Sequence, residues 1–387
     1  MTTTLPPLAV TTVGSWPRSP ELLRAQKAKR AGRLDPAAFD RLADAAVREL
    51  LRMQEDCGID LVTDGEQRRD SYFSFVAEKL DGVAMMTLAD LLEIIEDKVA
   101  FERILRTLDV PAYSISNATC VGRVRRARPL VADDLRFARQ HTSKPIKVTL
   151  PGPYLLTRGM FVREACGHIY ESKEALGVDV VALLREELGE LIEAGAAFIQ
   201  FDEPVLTEVV FTQGQTRTFM CAALAAAADP DEELEFAVSL LNQVTAGFDA
   251  ASRGARIGLH ICRGNWSTNE ATLLRGGYHP LAPYLERMQV DQVVLEYATE
   301  RAGELVPLAG KELGLGVVNP RTPRIETVAE IRARIERALQ HYPPERLFVN
   351  PDCGFATFSN RPVNSLEIAI QKLRAMVTAA RELRGGG

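Results

Sequence analysis

The strongest constraint on the fold is a repeated alternation of short apolar segments and longer amphipathic segments along the 387-residue chain. The apolar segments have the length of β-strands, and the amphipathic segments have the length and periodicity of helices. Such an alternation predicts β-α-β units and a parallel sheet covered by helices. The predicted strands are Ala9–Ser15, Ile59–Asp64, Ala112–Val124, Ile146–Leu150, Ala197–Asp202, Arg256–Cys262, Gln292–Tyr297, Gly314–Asn319 and Arg346–Asn350.

Nine strands are one too many for a (β/α)8 TIM barrel, and Ala112–Val124 is the strand that we exclude. It is polar on both faces and runs into a basic cluster, without the acids, His, Cys or Pro-Gly turn that follow the other strands. We place it in an insertion of about residues 81–126 after the second strand, in which Asp81–Thr107 is predicted to be helical. The remaining eight strands predict an α/β fold, a (β/α)8 barrel, as a single domain over residues 1–387.

Apolar residues at helical spacing predict the outer layer of this barrel. In Asp40–Glu55, the residues Leu42, Ala46, Leu50 and Met53 fall on one helical face. The same periodicity occurs in three further segments, of which the last would close the barrel: Val180–Ala194, Ile325–Leu339 and Leu366–Leu383.

Composition excludes several classes of protein. A net charge of -6 argues against a general nucleic-acid binder, because such proteins carry a basic surface. No apolar run approaches the roughly 20 residues that cross a bilayer, and the amino terminus does not resemble a signal peptide. We therefore expect a cytoplasmic protein with no membrane partner, and a homo-oligomer is compatible with the sequence. The basic cluster Arg123–Arg128 predicts either a solvated hairpin tip or a contact for an anionic substrate or partner.

The carboxyl ends of the eight strands form the active-site face of a barrel of this kind. Acids, one histidine and two cysteines gather at these ends. The segments are Val13–Trp16, Thr63–Glu66, Leu150–Pro153, Phe201–Pro204, His260–Cys262, Leu295–Tyr297, Asn319–Arg321 and Asn350–Gly354.

Four of these side chains have the chemistry of a zinc site. His260 and Cys262 are two residues apart on a strand and therefore point the same way. Cys353 and Glu296, the one acid within an apolar strand, complete a set of four ligands that zinc accepts. Each residue also has a purely structural interpretation. The His-x-Cys pair could simply pack in the core, Cys353 could lie in a turn, and Glu296 could be an acid paired with a basic residue. The common position of all four at strand ends favours a metal.

The ordered motifs Gly14-Ser15, Asp64-Gly-Glu66, Gln200-Phe-Asp-Glu-Pro204, His260-x-Cys262, Glu296 and Val349-Asn-Pro-Asp-Cys-Gly354 resemble the carboxyl-terminal barrel of cobalamin-independent methionine synthase. The likeness extends from about Thr11 to Arg384. It implies a barrel of the methionine synthase and uroporphyrinogen decarboxylase type, and a zinc ion on the four candidate ligands His260, Cys262, Glu296 and Cys353.

The resemblance also implies a binding site for homocysteine. Ser15, Glu66 and Asp202 match positions that hold its amino-acid part, with Gly14 beside them, and the two carboxylates are the candidate catalytic residues. Both acids suit an ammonium group, although Asp-Gly-Glu and Asp-Glu-Pro are also compatible with turns and helix N-caps. Arg321 matches an arginine of the family motif. In this chain it would either bind an anionic group or cap its loop.

Two features depart from the family. Full-length members have an additional amino-terminal barrel, which we expect this chain to lack. Anchored on Pro320-Arg321, the resemblance places Val318 where the family has a histidine that is proposed to protonate the folate leaving group. Valine cannot donate a proton, so a methyl donor other than triglutamyl methylfolate is expected.

Three hypotheses follow. The first is zinc-dependent methyl transfer to a thiol, most simply homocysteine, from a donor such as a corrinoid protein, as in single-barrel members. The second is an epoxyalkane:coenzyme M transferase activity, in which Arg321, or Arg68 and Arg69, would bind the sulfonate. The third is a non-catalytic barrel that binds a ligand or a structural zinc ion.

Overall fold

The computed structural model describes residues 5–94, 116–211, 229–265, 267–268, 273–359 and 362–385. Within these ranges, six parallel strands lie side by side in chain order. They are Lys147–Pro151, Phe198–Asp202, Arg256–Ile261, Gln292–Leu295, Glu312–Val318 and Leu347–Pro351. Each begins within two residues of a predicted strand, as expected when short apolar runs are bounded by turns.

Two short parallel segments close the sheet into a barrel. Val10 pairs with Val349 of the last strand, and Thr11 pairs with Leu61. Val62 in turn pairs with Ile146, immediately before the strand Lys147–Pro151. The segments predicted as the first two strands therefore fill the gap between Leu347–Pro351 and Lys147–Pro151. The predicted (β/α)8 barrel is confirmed.

Helices surround this barrel, and their ends carry recognisable signals. The helix Pro36–Cys57 begins with proline and ends at Gly58, whose φ of 81° is the left-handed conformation that terminates helices. No helix in the described ranges is long and apolar enough to span a membrane. The helices are Pro20–Arg30, Pro36–Cys57, Leu88–Ile94, Ala132–Arg139, Pro153–Met160, Arg163–Cys166, Lys173–Glu193, Val205–Phe211, Pro230–Thr245, Ala282–Arg287, Val328–Ala338 and Leu366–Gly385.

An antiparallel hairpin follows the second barrel segment, where the insertion was predicted. Leu80–Thr87 pairs with Ser116–Arg126. The predicted helix Asp81–Thr107 is therefore wrong for residues 81–87, which form a strand; Leu88–Ile94 is helical, and residues 95–107 lie outside the described ranges. The strand forms because its partner, about thirty residues away, overrides the local helical preference of Ala and Met.

The basic cluster at the end of this hairpin faces the outer helix Lys173–Glu193. Arg126 forms ion pairs with Glu186 and Glu187, at 2.9 and 2.8 Å, and also with Glu190. Its side chain is only 7% exposed, so the interpretation as a solvated hairpin tip is wrong for this residue. Arg126 instead fastens the hairpin to the barrel.

Two wholly buried lysines have opposite surroundings. Lys147 Nζ has no hydrogen-bond partner and lies 4.9 Å from the centre of the Phe198 ring, and burial lowers its pKa to about 7. Lys372 Nζ donates to Glu326 Oε2 at 2.7 Å. Burying a charge without a partner is costly. In a buried ion pair, removal of one partner leaves the charge of the other uncompensated.

We expect Lys147→Met to raise the free energy of unfolding at pH 7, by roughly 3 kcal/mol after the lost cation-π contact is deducted. Because the pKa of Lys147 in the folded state lies below its unfolded value, stability of the wild type rises between pH 7 and the unfolded pKa, and methionine removes this slope. Urea unfolding at pH 7 and pH 9.5 measures both effects. Lys372→Met is the matched control and should destabilise the protein by about 3–5 kcal/mol. A destabilised Lys147→Met protein at pH 7 would contradict the prediction.

Candidate metal and substrate site

Three of the four predicted zinc ligands form one buried cluster. His260 and Cys262 come from the end of the strand Arg256–Ile261, and Cys353 follows the strand Leu347–Pro351. Their ligand atoms all lie within 4.8 Å of one another, and the residues are at most 6% exposed. Two ligands of a tetrahedral zinc ion are about 3.3–3.8 Å apart at normal bond lengths. The cluster thus has donor types that zinc binds, gathered within about one ångström of the separation that tetrahedral binding needs.

The His260 ring is held through one nitrogen, which leaves the other nitrogen without a hydrogen bond. Its Nδ1 lies 2.8 Å from Asp202 Oδ1, while its Nε2 is buried and has no hydrogen-bond partner. A neutral imidazole that donates from Nδ1 to a carboxylate presents the lone pair of Nε2 to a metal. Asp202 therefore fixes both the tautomer and the direction of the ring.

The two cysteines lie close enough to share a proton. The hydrogen bond from the Cys353 thiol lowers the pKa of Cys262, whereas the same bond, together with burial, raises the pKa of Cys353 well above its ordinary value. Thiols in this arrangement bind a soft cation as thiolates.

The fourth candidate, Glu296, lies beside the cluster and outside it. Its Oε1 accepts hydrogen bonds from the Arg263 backbone N–H at 2.8 Å and from Asn265 Nδ2 at 2.5 Å, and its Oε2 accepts from Arg301 at 2.8 Å. Burial opposes its ionisation, but the charges of Arg301 and Arg263 prevail and lower its pKa. Glu296 is therefore an ionised acid with protein partners, and its role as a metal ligand stays a prediction.

Glu66 is held in an unusual backbone conformation. Its φ of 56° lies in the left-handed region that few side chains adopt, and such strain is concentrated at functional sites. Thr149 Oγ1 donates to Glu66 Oε1 at 3.0 Å, while Glu66 Oε2 is buried without a partner. A Cβ atom on Gly14 would lie 2.4 Å from Glu66 Oε1, so only glycine leaves room for this carboxylate.

Asp202 and Ser15 connect Glu66 with the metal cluster. Asp202 Oδ1 accepts a hydrogen bond from Gln200 Nε2 at 2.8 Å and contacts His260, and its charge helps burial to raise the pKa of Glu66. A Cβ atom on Gly354, next to Cys353, would lie 2.1 Å from Ser15 Oγ. The predicted substrate-binding residues therefore border the predicted metal ligands. Two carboxylates in such a place suit a bound ammonium group.

Val318 ends the strand Glu312–Val318, and Arg321 lies in the loop that follows it. Arg321 is 3% exposed, and its Nε donates to Asn265 Oδ1 at 3.0 Å, which connects it through Asn265 to Glu296. Val318 is fully buried at the end of the strand Glu312–Val318, and its carbonyl accepts a hydrogen bond from Asp352. The position that we aligned with the family histidine therefore holds an apolar side chain at the barrel mouth.

Sequence reasoning gave no role to several supporting residues. Gln200 lies in a quoted motif, and its role could have been found because it lies two residues before Asp202 on the same face of its strand. Thr149 lies on the neighbouring strand and required the register between strands. Asn265 comes from a loop and Arg301 from the single 3-10 turn Glu300–Ala302, where no periodic signal identifies a contact.

Comparison with known proteins identifies the family. The model of the cobalamin-independent synthase catalytic domain matches residues 8–382. The methionine synthase of Pyrococcus abyssi is 30% identical over 384 residues, which cover 98% of this chain and 94% of that protein. The 5-methyltetrahydropteroyltriglutamate--homocysteine methyltransferase of Mycolicibacterium paratuberculosis is 28% identical, over 99% of this chain and 44% of that protein.

A solved structure shares the fold. The B12-independent methionine synthase from Shewanella sp. W3-18-1, solved in complex with selenomethionine, has a TM-score of 0.72 and 24% identity, and the likeness covers 98% of both chains. Since the family model spans nearly the whole sequence, this chain belongs to the cobalamin-independent synthase catalytic-domain family.

Proposed function

We propose that this protein transfers a methyl group to the thiol of homocysteine, giving methionine, with a zinc ion bound by His260, Cys262, Cys353 and Glu296. The observation that carries the proposal is the position of a buried His-Cys-Cys cluster beside the carboxylates of Glu66 and Asp202. Membership of the family supports it, as does the methionine synthase of Pyrococcus abyssi, which this chain matches over 94% of that protein's length.

The protein side chains prepare this site for a metal. Asp202 orients His260, and the buried Cys262 and Cys353 offer thiols that a bound cation would convert to thiolates. When bound, zinc would act as a Lewis acid that favours the deprotonated form of the substrate thiol. Glu296 neighbours these ligands with its charge already balanced by Arg301, so it could contribute a further lone pair without leaving its protein partners.

The substrate would be held at its other end by charge. Glu66 and Asp202 provide carboxylates for the ammonium group of homocysteine, and Ser15 provides a hydroxyl near the Cys353 loop. Thr149 and Arg69 restrain Glu66, at 3.0 and 3.9 Å. Binding both ends of one small molecule places its sulfur at the cysteine cluster, which is the orientation that methyl transfer requires.

Val318 is the basis for proposing a donor other than methylfolate. All five histidines of the chain lie in the described ranges, and His260 is the only buried one. The exposed four are His141, His168, His279 and His341. No second buried imidazole thus stands in for the missing proton donor. A methyl-corrinoid, free or carried by a protein, needs no proton on its leaving group and suits this site.

The coenzyme M alternative has less support. Arg68 pairs with Asp44 and Asp134, at 2.5 and 3.1 Å, on the outer helices. Arg69 donates to Thr149, and Arg321 donates to Asn265. The arginines proposed for a sulfonate therefore all have protein partners.

A panel of thiols and donors tests the function. We expect methionine from homocysteine and methylcobalamin, at a rate at least about 100-fold above that with triglutamyl methyltetrahydrofolate, because the latter lacks its general acid. Deuterated methyl groups and mass spectrometry identify the product, and the Cys262→Ser protein is the blank. Equal rates with methylfolate would contradict the proposed donor. A thioether from coenzyme M and an epoxide, with no methionine from any donor, would overturn the proposed substrate.

A further inference from the structure

Arg18 connects two loops of the barrel mouth through their backbone. Its side chain is buried, and its Nη2 donates to the carbonyls of Glu66 at 2.5 Å and Arg69 at 3.0 Å. Its Nη1 donates to the carbonyl of Ala356 at 3.1 Å, and to that of Trp16 at 3.4 Å. One guanidinium therefore joins the loop that carries Glu66 to the loop that follows Cys353.

The strained conformation of Glu66 gives this connection its importance. A non-glycine residue with positive φ persists only when its surroundings over-determine it. The Glu66 N–H donates to Asp64 Oδ1 at 3.0 Å, and its carbonyl accepts from the Arg69 N–H at 3.0 Å and from Arg18. The contacts with Asp64 and Arg69 lie within the same short loop as Glu66. Of the three contacts to the Glu66 backbone, only the one from Arg18 comes from another part of the barrel.

The chemistry of the guanidinium suits this task. Its donors point in fixed directions from a plane, so two separate nitrogens reach two loops at once, whereas the three donors of lysine radiate from one nitrogen, which cannot occupy both places. Glu66 and Asp70 attract its charge, and although burial lowers its pKa to about 10, it stays protonated at neutral pH. Arg18 is thus a charged clamp with hydrogen bonds to backbone carbonyls.

We propose that Arg18 is a positioning residue that sets the Glu66 carboxylate against the Cys353 loop, so that the ammonium and the thiol of one substrate molecule bind together. This inference rests on the proposed function, since it assigns Glu66 to the ammonium group. Arg18 touches neither end of the substrate in this role and acts through the backbone of the two loops.

The test compares zinc-loaded wild type with Arg18→Gln, Arg18→Lys and a matched control, Arg185→Gln. Arg185 also donates to several carbonyls, those of Gln243, Val244 and Ala246, but on outer helices. Each protein is assayed with homocysteine and with 4-mercaptobutyrate, which is homocysteine without its ammonium group. We expect both Arg18 variants to raise the KM for homocysteine about tenfold or more, with little change for 4-mercaptobutyrate. The control should match the wild type with both thiols.

Amide hydrogen exchange on the same proteins gives a second readout that does not depend on turnover. We expect the amides of Arg69 and Phe355, which report the two loops, to exchange at least about tenfold faster in Arg18→Gln than in the wild type or in Arg185→Gln. A wild type that makes no methionine would refute the proposed function, while exchange would still decide the role of Arg18. Unchanged exchange, an equal rise of KM for both thiols, or full recovery with lysine would overturn the positioning role.

Discussion

Cys262→Ser is expected to lower methyl transfer by at least about 1000-fold, which corresponds to several kcal/mol of lost metal-ion catalysis. A serine hydroxyl stays protonated at neutral pH and is a poor ligand for zinc, so the cluster with His260 and Cys353 would lose a thiolate. The zinc content should fall from about one ion per chain to well below that value after dialysis, as measured by elemental analysis.

Cys57→Ser is the matched control. Cys57 is also a buried free cysteine, but it ends the outer helix Pro36–Cys57. Its variant should keep both zinc and activity. Full activity of a metal-free Cys262→Ser protein would refute the zinc proposal. X-ray absorption of the zinc-loaded wild type that does not change when homocysteine is added would instead favour a structural ion closed by four protein ligands.

Glu66→Gln is expected to lower kcat/KM for homocysteine by about 1000-fold, because the ammonium group would lose a buried carboxylate partner. Glutamine keeps the size of the side chain and can still accept the hydrogen bond from Thr149. The metal cluster should therefore retain its zinc. With 4-mercaptobutyrate, the variant should equal or exceed the wild type, since no ammonium group needs the charge.

The pH dependence gives an independent check on the same residue. Burial raises the pKa of Glu66 above its ordinary value, an effect that Arg69 opposes and Asp202 reinforces. The ammonium group requires the ionised carboxylate, which is lost as the pH falls through this raised pKa. The KM for homocysteine should thus rise on acidification at a higher pH than free glutamate would predict, and Glu66→Gln should lack this rise. Equal losses with both thiols would contradict the assignment of Glu66 to the ammonium group.

Much of the fold follows from local patterns in the sequence. Apolar runs alternating with amphipathic segments predicted the barrel. A short apolar run between two helices has few possible structures other than a strand of a parallel sheet. The hairpin strand Leu80–Thr87 escaped prediction, because it is stabilised by pairing with Ser116–Arg126 and not by its own residues. Non-local pairing of this kind leaves no signal within either segment.

In the candidate site, too, some features follow from local sequence patterns and others only from the tertiary structure. The sequence by itself determined that His260, Cys262 and Cys353 would meet, since the carboxyl ends of parallel strands lie on one face of a barrel. Only the tertiary structure decided that Asn265 and Arg301 bind Glu296, and that Arg18 reaches Ala356 across 338 residues. These contacts depend on where loops converge in space. Loop geometry is set by the packing of the whole barrel, whereas strand ends are set by the pattern of each strand.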